Sequence, residues 1–350
     1  MPKGSLLMQM PMPTHAKRIP GYDLLRVSAT FAVILLHAAT SQLSAVDVNS
    51  SAWRAMIFWD GLMRWSVPAF FLLSGALFLA SDKPLSEILR KNALRIGTAY
   101  LFWSFVYAAA SRPAGWKDFL YTWAAGHYHL WFCWAILGLY LLVPLLRLIA
   151  RDERYVRYYL LLAFVFASLI PMLTGLVWPV SPRVSDLMRA IVGKIDLAFP
   201  MGYAGIFVFG YVLSKGLTPK NERLLYVLGI IGVIFTPLSA LLLSAKFARE
   251  MTSFYPFLMP NTVFPAAALF VFLKNRVKRG THLLRILADA SFGAYLVHVL
   301  VLGVLARIGL SSLLFTAWLS IPLVAAVAAA LSFILGILLR RIPVVGKYLS

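Results

Sequence analysis

The chain has 350 residues, of which 61% are hydrophobic and only 13% charged, with a mean hydropathy of +0.81, far from the balance of an ordinary soluble domain. Its formal net charge of +20 comes from 33 basic residues spread over alternating short segments, not from one stripe or tail. That distribution argues against nucleic acid as a partner and reads as topology signals and contacts with anionic lipid headgroups. The single cysteine, Cys133, excludes an intrachain disulfide and is expected to pack in an apolar core.

Residues 1–20 contain no apolar h-region and no small-residue cleavage site, so the first span is expected to act as its own signal. Apolar runs of about 17–25 residues, the length that crosses a hydrocarbon core, fall at roughly 22–44, 53–80, 88–111, 129–150, 158–177, 197–214, 223–245, 255–273, 285–308 and 317–339. The expected fold is therefore all-α, a polytopic membrane protein of about ten transmembrane helices. Residues 1–21 form an N-terminal segment, 22–340 the membrane domain and 341–350 a C-terminal tail. With the N-terminus inside, 22 of the 33 Lys and Arg residues, counting from Lys3 and Lys17 to Lys347, fall on its side and 9 on the other, while Arg26 and Arg64 lie within helices. Both termini are thus expected to be cytoplasmic. No connection is long enough to hold a separate soluble domain, and no internal repeat is visible.

The first span contains "RVSATFAVILLH", an arginine and a histidine bracketing ten uncharged residues. Eleven residues at 100° each end about 20° beyond three full turns and about 16 Å along the axis, so Arg26 and His37 share a helix face. One face then carries a fixed cation near the cytosol and an imidazole in the outer half of the bilayer. Asp23, three residues before Arg26, is placed to pair with it. In the second span Asp60 and Arg64 stand four apart. An unpaired arginine near a helix centre costs roughly 2.5–3.5 kcal/mol on insertion scales, so Arg64 is expected to face the bundle interior or a wet cavity. "GHYHLWF" opens the fourth span with His127 and His129, and "SFGAYLVH" carries His298 in the outer half of the ninth. Singly, each histidine reads as a structural hydrogen-bonding group; together with His37 and Arg64 they suggest a polar chamber opening outward.

The Arg-ten-His spacing, followed in order by "VPAFFLLSGALF", "HLWFCWAILGLYLLVPLLR" and "ASFGAYLVH", resembles the membrane acyltransferase-3 family, in the branch resembling the enterobacterial-common-antigen O-acetyltransferase. The resemblance implies transfer of a short acyl group, usually acetyl, from cytosolic acyl-CoA to a hydroxyl of a glycan or lipid-linked sugar on the outer side of a bacterial inner membrane. It also implies that Arg26 and His37 are the essential pair. The third span departs from the family by reading "LRIGTAYLFW" without the proline often found after its arginine pair, which leaves the local helix geometry open. The chain carries no appended SGNH-type esterase domain, so one domain is expected to complete the transfer.

For such a reaction His37 is the expected base, taking the proton of an attacking hydroxyl, with Asp60 the main carboxylate alternative. Arg64, His129 and His298 are three candidates for the oxyanion or the acceptor, and the residues alone do not choose among them. Arg26, with Arg90, Lys91 and Arg95 at the start of the third span, is expected to gather the CoA phosphates. Attack by His37 itself, forming an acyl-imidazole, remains an open alternative. No metal and no tightly bound cofactor is expected, because the histidines lack ligand spacing. A transporter or flippase, or a non-catalytic partner in polysaccharide assembly, are the competing classes. A transporter favours related halves with matching broken helices, which are not apparent.

Overall fold

The computed structural model describes residues 18–195 and 198–350; residues 1–17, including Lys3 and Lys17, lie outside the described residues. The described residues form helices and turns and no strand. In chain order the helices are α1 (Pro20–Thr40), α2 (Ser51–Met63), α3 (Ser66–Phe78), a single turn α4 (Leu85–Glu87), α5 (Leu94–Ala110), α6 (Trp116–Ala125), α7 (Trp131–Ala150) and α8 (Glu153–Leu162). They continue as α9 (Ile170–Val177), α10 (Pro182–Ile195), α11 (Ala198–Lys215), α12 (Pro219–Phe247), α13 (Pro260–Arg276), α14 (His282–Arg307), α15 (Ala317–Arg341) and α16 (Pro343–Tyr348). Among the described residues seven helical segments are long and apolar enough to cross a membrane. The other three apolar runs are occupied by α5, α11 and α13, of 17, 18 and 17 residues.

Three features differ from the simple reading of apolar runs. The second run is not one helix: it breaks at Arg64 and Trp65, between α2 and α3. Pro68 explains the break, because it lacks the N–H that would bond the Arg64 carbonyl and its ring crowds that oxygen. The third begins with a π-helical stretch, Ile88–Ala93, and then runs without a kink through α5. The stretches expected to be plain loops after α5 and α9 hold α6 and α10. In α10, Val184, Leu187, Ile191 and Ile195 form one exposed apolar stripe, with Asp186 and Arg189 on the opposite face. That is the pattern of a helix lying along a membrane surface, too mixed in composition to register as a span.

The interior is built around α1, which touches α2, α3, α13, α14 and α15. Small residues make this close assembly possible. A Cβ on Gly75 of α3 would stand 1.7 Å from the Phe207 carbonyl oxygen of α11, and one on Gly21 of α1 would stand 2.3 Å from the Leu273 carbonyl oxygen of α13. Helices therefore meet backbone to backbone at these points. Cys133 is fully buried, as expected. Away from the centre, α12 turns Val227, Ile230, Ile234, Leu238 and Leu242 outward, each about half exposed or more. Such a face suits lipid, not water.

Candidate active site

A cavity of about 840 Å³ runs beside α1 and is lined by both Arg26 and His37. The shared helix face read from their spacing is therefore a cavity wall. Beside Arg26 the wall carries Asn92, Arg95, Asp289 and Arg340, with Ser81 and Lys83 from the loop after α3. Arg147 of α7 ties that loop down, donating to the Phe78 carbonyl at 3.2 and 2.9 Å and to the Lys83 carbonyl at 2.6 Å. Val33, Leu73, Leu77, Ile136 and Tyr140 line the stretch between, and His37, Arg64, Tyr128, His129, Trp131 and Phe257 line the far end.

At the far end the imidazoles interlock. The His37 ring lies 5.1 Å from that of His298 and 6.4 Å from that of His129, and the His129 and His298 rings are 5.2 Å apart. The Nδ1 atoms of His127 and His129 stand 2.9 Å apart, so one of them donates to the other. His298 Nδ1 lies 2.5 Å from the Tyr295 carbonyl oxygen and must carry its proton there, which leaves Nε2 as an acceptor. Tyr295 in turn donates to the His129 carbonyl. Tyr128 reaches from the segment between His127 and His129 to place its hydroxyl 3.4 Å from His37 Nδ1. The Nε2 atoms of His129 and His298 are buried with no hydrogen-bond partner.

Arg64 is the cation of this end. Its Nη2 donates to Asp60 Oδ2 at 2.5 Å, and its guanidinium lies over the rings of Tyr255 at 4.6 Å and Phe257 at 5.3 Å. Asp60 is buried behind Arg64 and does not line the cavity. The expectation that Arg64 faces the interior thus holds in geometry, made possible by the break in the second span that puts it at a helix terminus.

The Arg26 end, the inner one when both termini are cytoplasmic, corrects two expectations. Asp23 does not pair with Arg26; its carboxylate accepts from Arg18 Nε at 2.6 Å, because Arg18 approaches from outside the helix. Arg90 and Lys91 are exposed and stand off the cavity. Lys91 instead bonds Glu87 at 3.1 Å, a contact that holds the Glu87 carboxyl below its usual range. Of that expected trio only Arg95 lines the cavity, where its Nη2 donates to the Ser350 carbonyl. The guanidinium of Arg26 makes no hydrogen bond or ion pair among the described residues. His298, like Asp60, lies behind the wall.

Sequence reasoning missed Tyr128, Asn92, Lys83, Asp289 and Arg340. "GHYHLWF" held a signal for Tyr128, standing between two histidines at a span entrance; Arg340 was indistinguishable from an ordinary positive-inside residue. Among the described residues no group of three or more His, Cys, Asp or Glu is arranged to hold a metal ion.

The described helices thus enclose one cavity with Arg26, Arg95 and Arg340 toward one end and His37, His129 and Arg64 toward the other. A family model described as an acyltransferase domain, that of acyltransferase family 3, matches residues 19–339. The chain belongs to this family and is a multi-pass membrane acyltransferase. Comparison with curated proteins and with solved structures gave no match.

Proposed function

We propose that the protein is an O-acetyltransferase of the branch resembling the enterobacterial-common-antigen enzyme. It takes an acetyl group from cytosolic acetyl-CoA and delivers it to a hydroxyl of a glycan or lipid-linked sugar on the outer side of a bacterial inner membrane. In this reading the chain crosses ten times with both termini cytoplasmic. What carries the proposal is that one continuous cavity joins the unpaired Arg26 guanidinium to the His37 imidazole.

The nucleotide phosphates lie at Arg26, Arg95, Arg340 and Lys83, cations that gather phosphate through charge-assisted hydrogen bonds. The pantetheine arm follows the apolar wall for about 16 Å, the rise of eleven helical residues, and brings the thioester to His37. The acceptor hydroxyl enters between Trp131, Phe257 and Arg64. As its oxygen bonds the thioester carbon, its proton passes to the His37 imidazole, and the carbonyl oxygen gains negative charge beside Arg64 and His129. Collapse breaks the carbon–sulfur bond and the imidazolium returns the proton to the thiolate. The products are an ester and free CoA thiol. His298 serves behind His37, keeping its ring in place, and Asp60 holds Arg64.

The test is transfer of acetyl from acetyl-CoA by the purified full-length protein to a panel of glycan acceptors, read by mass spectrometry. Label appearing in an acceptor ester with wild type and not with His37→Ala supports the reading; thioester hydrolysis without an acylated acceptor rejects it.

A further inference from the structure

An unpaired guanidinium in an intramembrane wall needs an explanation when carboxylates are close at hand. Asp23 stands one turn before Arg26 on the same helix, and Asp289 of α14 lines the same cavity; both act electrostatically on Arg26. Either would ordinarily close on Arg26, because charges three or four residues apart attract and a low-dielectric wall strengthens the attraction. Neither does, because Arg18 takes both. Its Nε donates to Asp23 Oδ2 at 2.6 Å, and its Nη2 donates to Asp289 Oδ1 at 2.9 Å and to the Arg285 carbonyl at 3.3 Å. The Asp23 side chain is only 9% exposed, so water is no substitute for that partner.

We infer that Arg18 is a positioning residue for donor binding: by pairing with Asp23 and Asp289 it keeps the Arg26 guanidinium free for an anionic ligand. The inference rests on the reading of the inner end as the site of the CoA phosphates. Loss of Arg18 releases two carboxylates next to Arg26. A tethered carboxylate competes at an effective concentration in the millimolar range or above. Arg18 itself does not line the cavity, so its effect on binding runs through Arg26.

The experiment is calorimetric titration of CoA into the full-length protein in lipid nanodiscs. Arg18→Ala is expected to weaken CoA binding about tenfold or more, the scale of one charge-assisted hydrogen bond. Arg18→Lys, which keeps the charge without the fork that spans two carboxylates, falls between. The decisive variant is Arg18→Ala with Asp23→Asn and Asp289→Asn. It removes every side-chain contact of the Arg18 bridge, yet frees Arg26 again, and is expected to bind CoA within about threefold of wild type, since the competing charges are gone. Were Arg18 only an anchor for the start of α1, this triple variant would bind as weakly as Arg18→Ala, and that result overturns the inference. Wild-type affinity in Arg18→Ala overturns it too. Should Arg18→Ala not fold, Asp23→Asn with Asp289→Asn on the wild-type background decides: binding at least as tight as wild type is expected, and weaker binding rejects the role. CoA binding that is lost in Arg26→Ala while the Arg18 series stays silent overturns this inference alone. Absence of CoA binding by wild type overturns the donor reading as well.

Discussion

The two ends of the cavity handle charge in opposite ways. At the inner end Arg26 makes no hydrogen bond or ion pair among the described residues and Arg95 donates to the Ser350 carbonyl and lies over the Phe292 ring, while the nearby carboxylates are drawn off by Arg18. At the outer end Arg64 is tied to Asp60, and the other polar groups are imidazoles bonded to one another, to carbonyls or to a tyrosine. The first arrangement suits a ligand that brings several negative charges. The second suits neutral hydroxyls and a proton that has to move, since an imidazole carries both a donor and an acceptor nitrogen. On the proposed function, the contrast accounts for the polarity of this membrane domain: the open positive charge lies where the polyanionic donor is to compensate it.

The largest expected effect strikes the outer end. His37→Ala is predicted to bind acetyl-CoA near normally yet lose transfer by roughly 10²–10⁴-fold, as for a missing general base. His37→Gln, which keeps a hydrogen bond without basicity, should fare almost as badly; near-normal turnover in that variant, assayed at matched expression, would move the base elsewhere. Next comes the inner end. Arg26→Ala should cost about tenfold or more in CoA affinity, and Arg26→Lys should recover only part, as a point charge lacks the bidentate fork. Equal loss of acceptor affinity in a titration with each substrate would erase the division between the ends.

Tyr128→Phe probes the boundary of the outer end. It removes the hydroxyl at 3.4 Å from His37 and is expected to lower turnover severalfold with donor KM unchanged, the scale of one weak neutral hydrogen bond. A change in donor KM alone would place Tyr128 outside the chemistry. The smallest effect is predicted for Arg90→Ala with Lys91→Ala: both side chains stand off the cavity, so CoA affinity should stay within about twofold. A tenfold loss there would extend the inner end beyond the cavity wall. Reporter fusions after residues 45–52 and 112–126 should report the outer side, and after 81–87 and 274–284 the cytosol. Opposite signals would exchange the two ends.

What the sequence by itself determined is what depends on local spacing and on solvent transfer. Apolar length places the helices, and a separation of eleven residues puts Arg26 and His37 on one face whatever surrounds them. Arg64 was legible as an inward-facing residue for the same reason, because a charge in hydrocarbon has few alternatives. Only the tertiary structure decided which partner each of these groups takes. Asp23 is one turn from Arg26 in sequence, yet it bonds Arg18, since a forked guanidinium arriving with Asp289 already in reach outcompetes a helical neighbour. Arg90, Lys91 and Arg95 are all basic residues at the start of one span; Arg90 and Lys91 lie in the π-helical stretch and stand in the open, while Arg95, in the first turn of α5, lines the cavity wall. Likewise His129 lines the cavity while His298 lies behind it, a distinction set by how α14 and the segment before α7 pack on α1. Side-chain direction and pairing across helices are long-range properties, and no local pattern encodes them.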